Sequence, residues 1–277
     1  MTHPLTRGAA PLDVFVEGIG LLGPGLAGWE QGRQCLDGGL VYEPARSVLP
    51  LPMALPSAER RRAGAVIKVS LAVGQEAVAA SGRQAKDLPS VFSSSSGDAV
   101  NCHEICSALA SRDRLISPTR FHNSVHNASS GYWSISSGAM ATSSVLCTFD
   151  AGFAAGLLEA MTQCVVDDSA VLLVVYDTEY PEPLYSKRRV PDTMGVAMVI
   201  APRSSERSLA RISLDGASFL TAAPADTMDD AALETLRRTI PAARALPLLQ
   251  AIAKRQAKPV VLGYLAPMQF AVEVALC

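Results

Sequence analysis

The stretch "FHNSVHNASSGYWSISSGAMATSSVLCTFDAGFAAGLLEAM", residues 121–161, sets the reading of everything around it. Thr142 to Thr148 has β character, and Ala151 to Val166 carries apolar residues at helical spacing, so a strand passes through a turn at Phe149 and Asp150 straight into a helix. Asp150 stands where a side chain can cap that helix. From its own context Phe149 reads as ordinary aromatic filling of the core. Cys147, two positions earlier, shares a strand face with Phe149 and falls short of the helix N-terminus, where the dipole would lower a thiol pKa.

Upstream, Asp13 to Ile19 alternates as an opening strand, which the Gly and Pro of "GIGLLGPG" then break. "RRRAGAVIKVSLAVGQEAVAASG" places Val66, Val69, Ala72, Val73 and Ala77 at helical spacing, with Gly82 as its stop. The run Arg60 to Arg62 is the solvated start of that helix or, alternatively, a contact for an acidic carrier protein. "SVFSSSSGD" is a short strand entering a polar turn, and a helix follows from about Ala99 to Leu109. Downstream, "AVLLVVYDT" is apolar throughout, a strand buried on both faces whose last residues, Asp177 and Thr178, reach the sheet's exposed end. "MGVAMVIAP" and "ARISLDGAS" are further strands. The Ala-rich 222–244 is partly helical, and a helix and two strands close the chain. Strands alternating with helices make this a layered α/β protein.

The bulk numbers agree. At 277 residues, 49% hydrophobic and only 5% aromatic, the chain builds a large core from closely packed aliphatic side chains. A formal charge of −2 gives no overall field for nucleic acid or an anionic membrane, and the apolar runs are strand-sized rather than membrane-spanning. A cytoplasmic location is the expectation, with no structural disulfides among the six cysteines. Residues 1–10 are expected to lack order.

Three segments, "VFVEGIGLLGPG", "FSSSSGD" and the stretch from "FHNSVHNASSGYWSISSG" to "FDAG", resemble in their order the N-terminal half of β-ketoacyl synthases. The resemblance implies a thiolase-like fold, whose two related halves each hold a five-stranded mixed sheet between helices. This chain would supply one half, residues 11–202, with 203–277 as a short extension packing on or completing the same domain. In that family the turn carries the nucleophilic Cys; here Phe149 holds the place, and a phenyl ring cannot carry an acyl thioester. The family's catalytic His and Lys residues come from its C-terminal half. All four His of this chain (3, 103, 122, 126) precede the turn, and nothing like "HGTGT" follows.

Ketosynthase-like proteins without the Cys are similar to the chain-length factors of two-subunit systems, and short ones accompany bacterial aryl polyene pathways. By that resemblance the chain is inactive alone and forms a heterodimer with a full-length β-ketoacyl synthase, meeting acyl carrier protein only indirectly. Ser143, Ser144, Val145, Leu146, Cys147 and Thr148 would pair across the two-fold. Ile105, Leu109, Phe121 and Phe149 would line the partner's acyl tunnel. Two other readings stand beside this one. One is an independent thiolase-like acyl transferase or hydrolase using Cys147 with His122 or His126; the other is a homodimeric acyl-binding scaffold.

No metal or cofactor is called for. His122 and His126 sit in a loop-like context that suits hydrogen-bonded histidines better than ligands. "CHEIC" at 102–106 reads as a helix burying Cys102, Ile105, Cys106 and Leu109. The carboxylates of "YDTEY", at a strand end, read as solvated.

Overall fold

The computed structural model describes residues 11–215 and 220–277, so the expectation for residues 1–10 and the end of "ARISLDGAS" lie outside the described residues. The strands are β1 (Leu12–Leu22), β2 (Ser90–Ser94), β3 (Ser143–Cys147), β4 (Val171–Asp177), β5 (Met194–Ala201), β6 (Ala210–Leu214), β7 (Leu220–Thr221), β8 (Lys258–Gly263) and β9 (Gln269–Leu276). The helices are α1 (Trp29–Asp37), α2 (Ser57–Arg62), α3 (Ala65–Ser81), α4 (Ala99–Ala110), α5 (Pro118–His122), α6 (Ala128–Ser137), α7 (Gly152–Val166), α8 (Leu184–Lys187), α9 (Ala231–Thr239) and α10 (Leu246–Ala253).

Among the described residues the strands form one nine-stranded sheet in the order β3-β2-β4-β5-β1-β6-β9-β7, with β8 also on β9. Its first five strands are the expected mixed sheet: β3, β2 and β4 run parallel, and β5 is antiparallel to both β4 and β1. The last 75 residues do not sit apart from it. β6 pairs with β1 from Leu12↔Leu214 to Val16↔Ala210, and β9 pairs with β6, so the sheet continues without a break.

The sheet is covered on both faces because its central strands are apolar on both. From β4, Leu172, Val174 and Tyr176 point to the layer containing α3, while Val171, Leu173 and Val175 point to the layer of α7 and α10. β1 runs farther than its glycines suggest, and those glycines are the reason. A Cβ at Gly18 would stand 2.1 Å from the Ala77 carbonyl oxygen, and one at Gly20 would stand 2.0 Å from that of Val73. The backbone of α3 therefore rests directly on β1, which only glycine permits.

The helix expected from the Arg run to Gly82 is interrupted. Extended Gly64 separates α2 from α3, and Gly82 ends α3 in the left-handed region at φ 68°. Arg61 and Arg62 are exposed as anticipated. Arg60 is half-buried, donating to the carbonyls of Leu55 and Met53. No helix among the described residues is long and apolar enough to cross a membrane.

Candidate functional site

β3 ends at Cys147, the Thr148 amide donates to the Ser94 carbonyl at 3.2 Å, and α7 begins at Gly152. Between them Phe149 takes φ 54°, the left-handed region, which a bulky L-residue adopts at a cost of about 1–2 kcal/mol and only where its surroundings impose it. What imposes it is the short path from a strand to a helix pressed on the sheet. Ser93 Oγ donates to the Gly152 carbonyl at 2.7 Å, and at Gly156 a Cβ would stand 3.0 Å from Ser93 Cβ.

The ring does not fill the core. Phe149 is 60% exposed, with the Arg188 guanidinium carbon 3.7 Å from its ring centroid. Nor does Asp150 cap α7, which has no side-chain cap. Its carboxylate instead bridges Arg188 and Arg244, the latter at 3.0 Å, where two guanidinium groups give it charge-assisted hydrogen bonds.

Arg188 also donates to Tyr180 Oη at 3.3 Å, and that hydroxyl bonds Ser95 Oγ at 3.0 Å and Ser96 Oγ at 2.7 Å. Below lies Asp177, expected to be solvated and found buried. Its two oxygens accept from the Ser95 amide at 2.9 Å and the Ala242 amide at 2.8 Å, so the segment between α9 and α10 is folded over the end of β4. Burial pushes its carboxyl up to about 6, against the opposing pull of those hydrogen bonds and of Arg188.

The other sequence-marked residues lie on the outer side of this network. Among the described residues β3 has one strand neighbour, β2, and none of Ser143, Ser144, Val145, Leu146 or Cys147 is fully buried. Thr148 Oγ1 is buried without a hydrogen-bond partner. The face of α4 thought to be buried is open: Cys102 and Cys106 are exposed, Leu109 is 49% exposed and Ile105 is half-buried. The helix is anchored by Ala99 and Asn101 instead, with Asp98 accepting from the Asn101 amide at 2.9 Å. Phe121 on α5 is 68% exposed, and Val125, Ile135 and Met140 extend the same apolar region of the chain.

Cys147 Sγ lies 3.7 Å from Ser94 Oγ, and His122 and His126 are exposed to solvent rather than hydrogen-bonded in a loop interior. Among the described residues no group of three or more His, Cys, Asp or Glu could hold a metal ion. Arg188, Arg244, Tyr180 and Ser95 were not singled out by the sequence. Only the "SSSS" turn hinted at hydrogen bonding there, since nothing local ties residue 188 to residue 149.

A mixed sheet between helical layers, with a strained strand-to-helix turn at the end of its parallel strands, is the thiolase-like fold of ketosynthases. The profile of the β-ketoacyl synthase N-terminal domain matches residues 29–261, and the chain belongs to that family. Among solved structures, it is similar to a chain of the ketosynthase (ApeO) in complex with its chain length factor (ApeC) from Xenorhabdus doucetiae. The two share 19% identity at a TM-score of 0.69, over 94% of this chain and 98% of that one. A chain of the ishigamide ketosynthase/chain length factor matches at TM-score 0.70 and 11% identity, over 95% and 99%. A β-ketoacyl synthase from Burkholderia phymatum STM815 matches at TM-score 0.52 and 12% identity, over 88% of this chain but 71% of its own. A search of curated proteins gives no match.

Proposed function

We propose that this chain is a non-catalytic, ketosynthase-like subunit. In this reading it pairs with a full-length β-ketoacyl synthase and bounds that partner's acyl tunnel during polyene- or polyketide-type chain elongation, as a chain-length factor does. The observation that carries the reading is Phe149. It occupies a strained turn between β3 and α7 that holds no thiol.

Two further observations support it. Among the described residues the far edge of β3 pairs with no strand, and Leu109, Phe121 and Met140 are exposed elsewhere on the surface, so a partner strand and its flanking helices could cover them. In addition, near-complete mutual coverage with chains of ketosynthase–chain length factor complexes contrasts with the 71% covered in a β-ketoacyl synthase. Residues 143–148 would then form the pairing strand, and Ile105, Leu109, Phe121 and Phe149 the wall facing the growing chain. Residues 11–202 would correspond to the family's N-terminal half and 203–277 to an extension completing the same unit, all of it cytoplasmic.

A wall sets length because overlap with a filled volume costs far more than the roughly 0.8 kcal/mol that one more methylene gains. Co-expression with a full-length β-ketoacyl synthase, followed by size exclusion, tests the pairing. The two chains are expected to co-elute as a 1:1 complex; separate elution at micromolar concentration ends the proposal. Iodoacetamide labelling under the same conditions addresses the Cys147 enzyme, whose nucleophile would be alkylated with loss of an acyl-transfer activity measurable without any partner.

A further inference from the structure

We infer that Arg188 is a positioning residue: its guanidinium fixes the direction of the Phe149 ring, and through the ring it sharpens the length at which the partner's acyl chain stops. The second part rests on the pairing proposed above. A phenyl ring 60% exposed on a turn has little packing to choose its rotamer, and without another hold would hop between staggered wells. Here it lies against a cation, with the guanidinium carbon 3.7 Å from the centroid.

That cation is itself held from three sides. Asp150 binds it through an ion pair, Tyr180 Oη accepts from it at 3.3 Å, and the Tyr180 ring lies 5.7 Å away. Each anchor has its own anchor. Asp150 is bound by Arg244 at 3.0 Å, and the Tyr180 hydroxyl by Ser95 and Ser96. Two guanidinium groups share one carboxylate, so positive charge remains for the face of the ring. A planar fork can meet a carboxylate, a hydroxyl and a ring together, which an ammonium cannot do. A ring that swings yields the volume of several methylenes and blurs a length limit, whereas a fixed ring makes the limit steep.

The test has two readouts. In the chain alone, labelled with 4-fluorophenylalanine, the Phe149 fluorine resonance is assigned by its loss in Phe149→Leu. Arg188→Ala is expected to shift and narrow it, with an about fivefold rise in the population of displaced ring conformers. Arg188→Lys should shift it nearly as far, and Tyr180→Phe by less, which keeps the test open should Arg188→Ala misfold. In the reconstituted pair with a β-ketoacyl synthase, Arg188→Ala is expected to broaden the product distribution by at least one two-carbon unit toward longer chains. An unchanged fluorine signal overturns the pinning. A changed signal with an unchanged length distribution, in a pair that still co-elutes, overturns the role in length while leaving the pairing intact. Wild-type chains that never co-elute overturn the pairing, and the length role with it, whereas the fluorine result still decides the pinning.

Discussion

β3 and β4 flank the same strand, β2, in the same direction, yet every residue of β4 is buried and none of β3 is fully so. The difference is one of neighbours as well as composition, SSVLC against VLLVVYD. β4 has β5 on its far side, α3 above and α7 below; among the described residues β3 has no strand on its far side, and α4 to α6 leave Leu109, Phe121 and Ile135 exposed. The strand that ends in the candidate site is thus half inside a finished core and half on a surface of the kind that partner chains cover. The closed side and the open side should respond to mutation in opposite ways.

The largest effect is expected on the closed side. Phe153→Ala, deep between α7 and the sheet, should destabilise the chain by about 3–5 kcal/mol in urea titration; a loss below about 1 kcal/mol would mean that this layer is not the core. Next, Asp177→Ala strands the Ser95 and Ala242 amides without an acceptor and should cost about 2–4 kcal/mol.

Asp177 also predicts a pH dependence. Its carboxyl, raised from 3.8 to about 6, holds a proton more tightly folded than unfolded. The proton-linked part of its contribution to stability is therefore full below about pH 4, falls as pH rises toward about 6, and is absent above that. Asp177→Asn should remove this slope from the stability-against-pH curve, and an unaltered slope would assign it elsewhere.

On the open side the chain alone should hardly notice substitution. Leu109→Ser and Phe121→Ser are expected to change its stability by less than about 0.5 kcal/mol. The same changes should weaken association with a β-ketoacyl synthase at least tenfold by analytical ultracentrifugation. Destabilisation of the lone chain by either substitution would make these residues part of the core instead.

Much of the closed side was legible. "AVLLVVYDT" reads as a doubly covered strand because apolar residues at both parities have no other use, and "GFAAGLLEAMTQCVV" reads as the helix beneath it. The opening strand was read too short because a glycine in a strand looks like a break until the helix that presses on it is in place. The α4 face was read as buried because periodicity shows which side is apolar, not what covers it. Asp150 and Asp177 were misassigned for a shared reason: a cap or a solvated strand end is a local judgement, and their partners Arg188, Arg244 and Ala242 arrive from 38 to 94 residues away.

The order of strands and helices, the parity of the buried sheet and the presence of Phe149 in the β3–α7 turn were all determined by the amino acids themselves, since each depends on neighbours within a few residues. The left-handed backbone of Phe149, its exposed ring against Arg188, the burial of Asp177 and the free edge of β3 were decided only by tertiary structure. Those depend on segments that the chain brings together only once the sheet has closed around β4, and a one-dimensional pattern carries no record of which distant charge meets which ring.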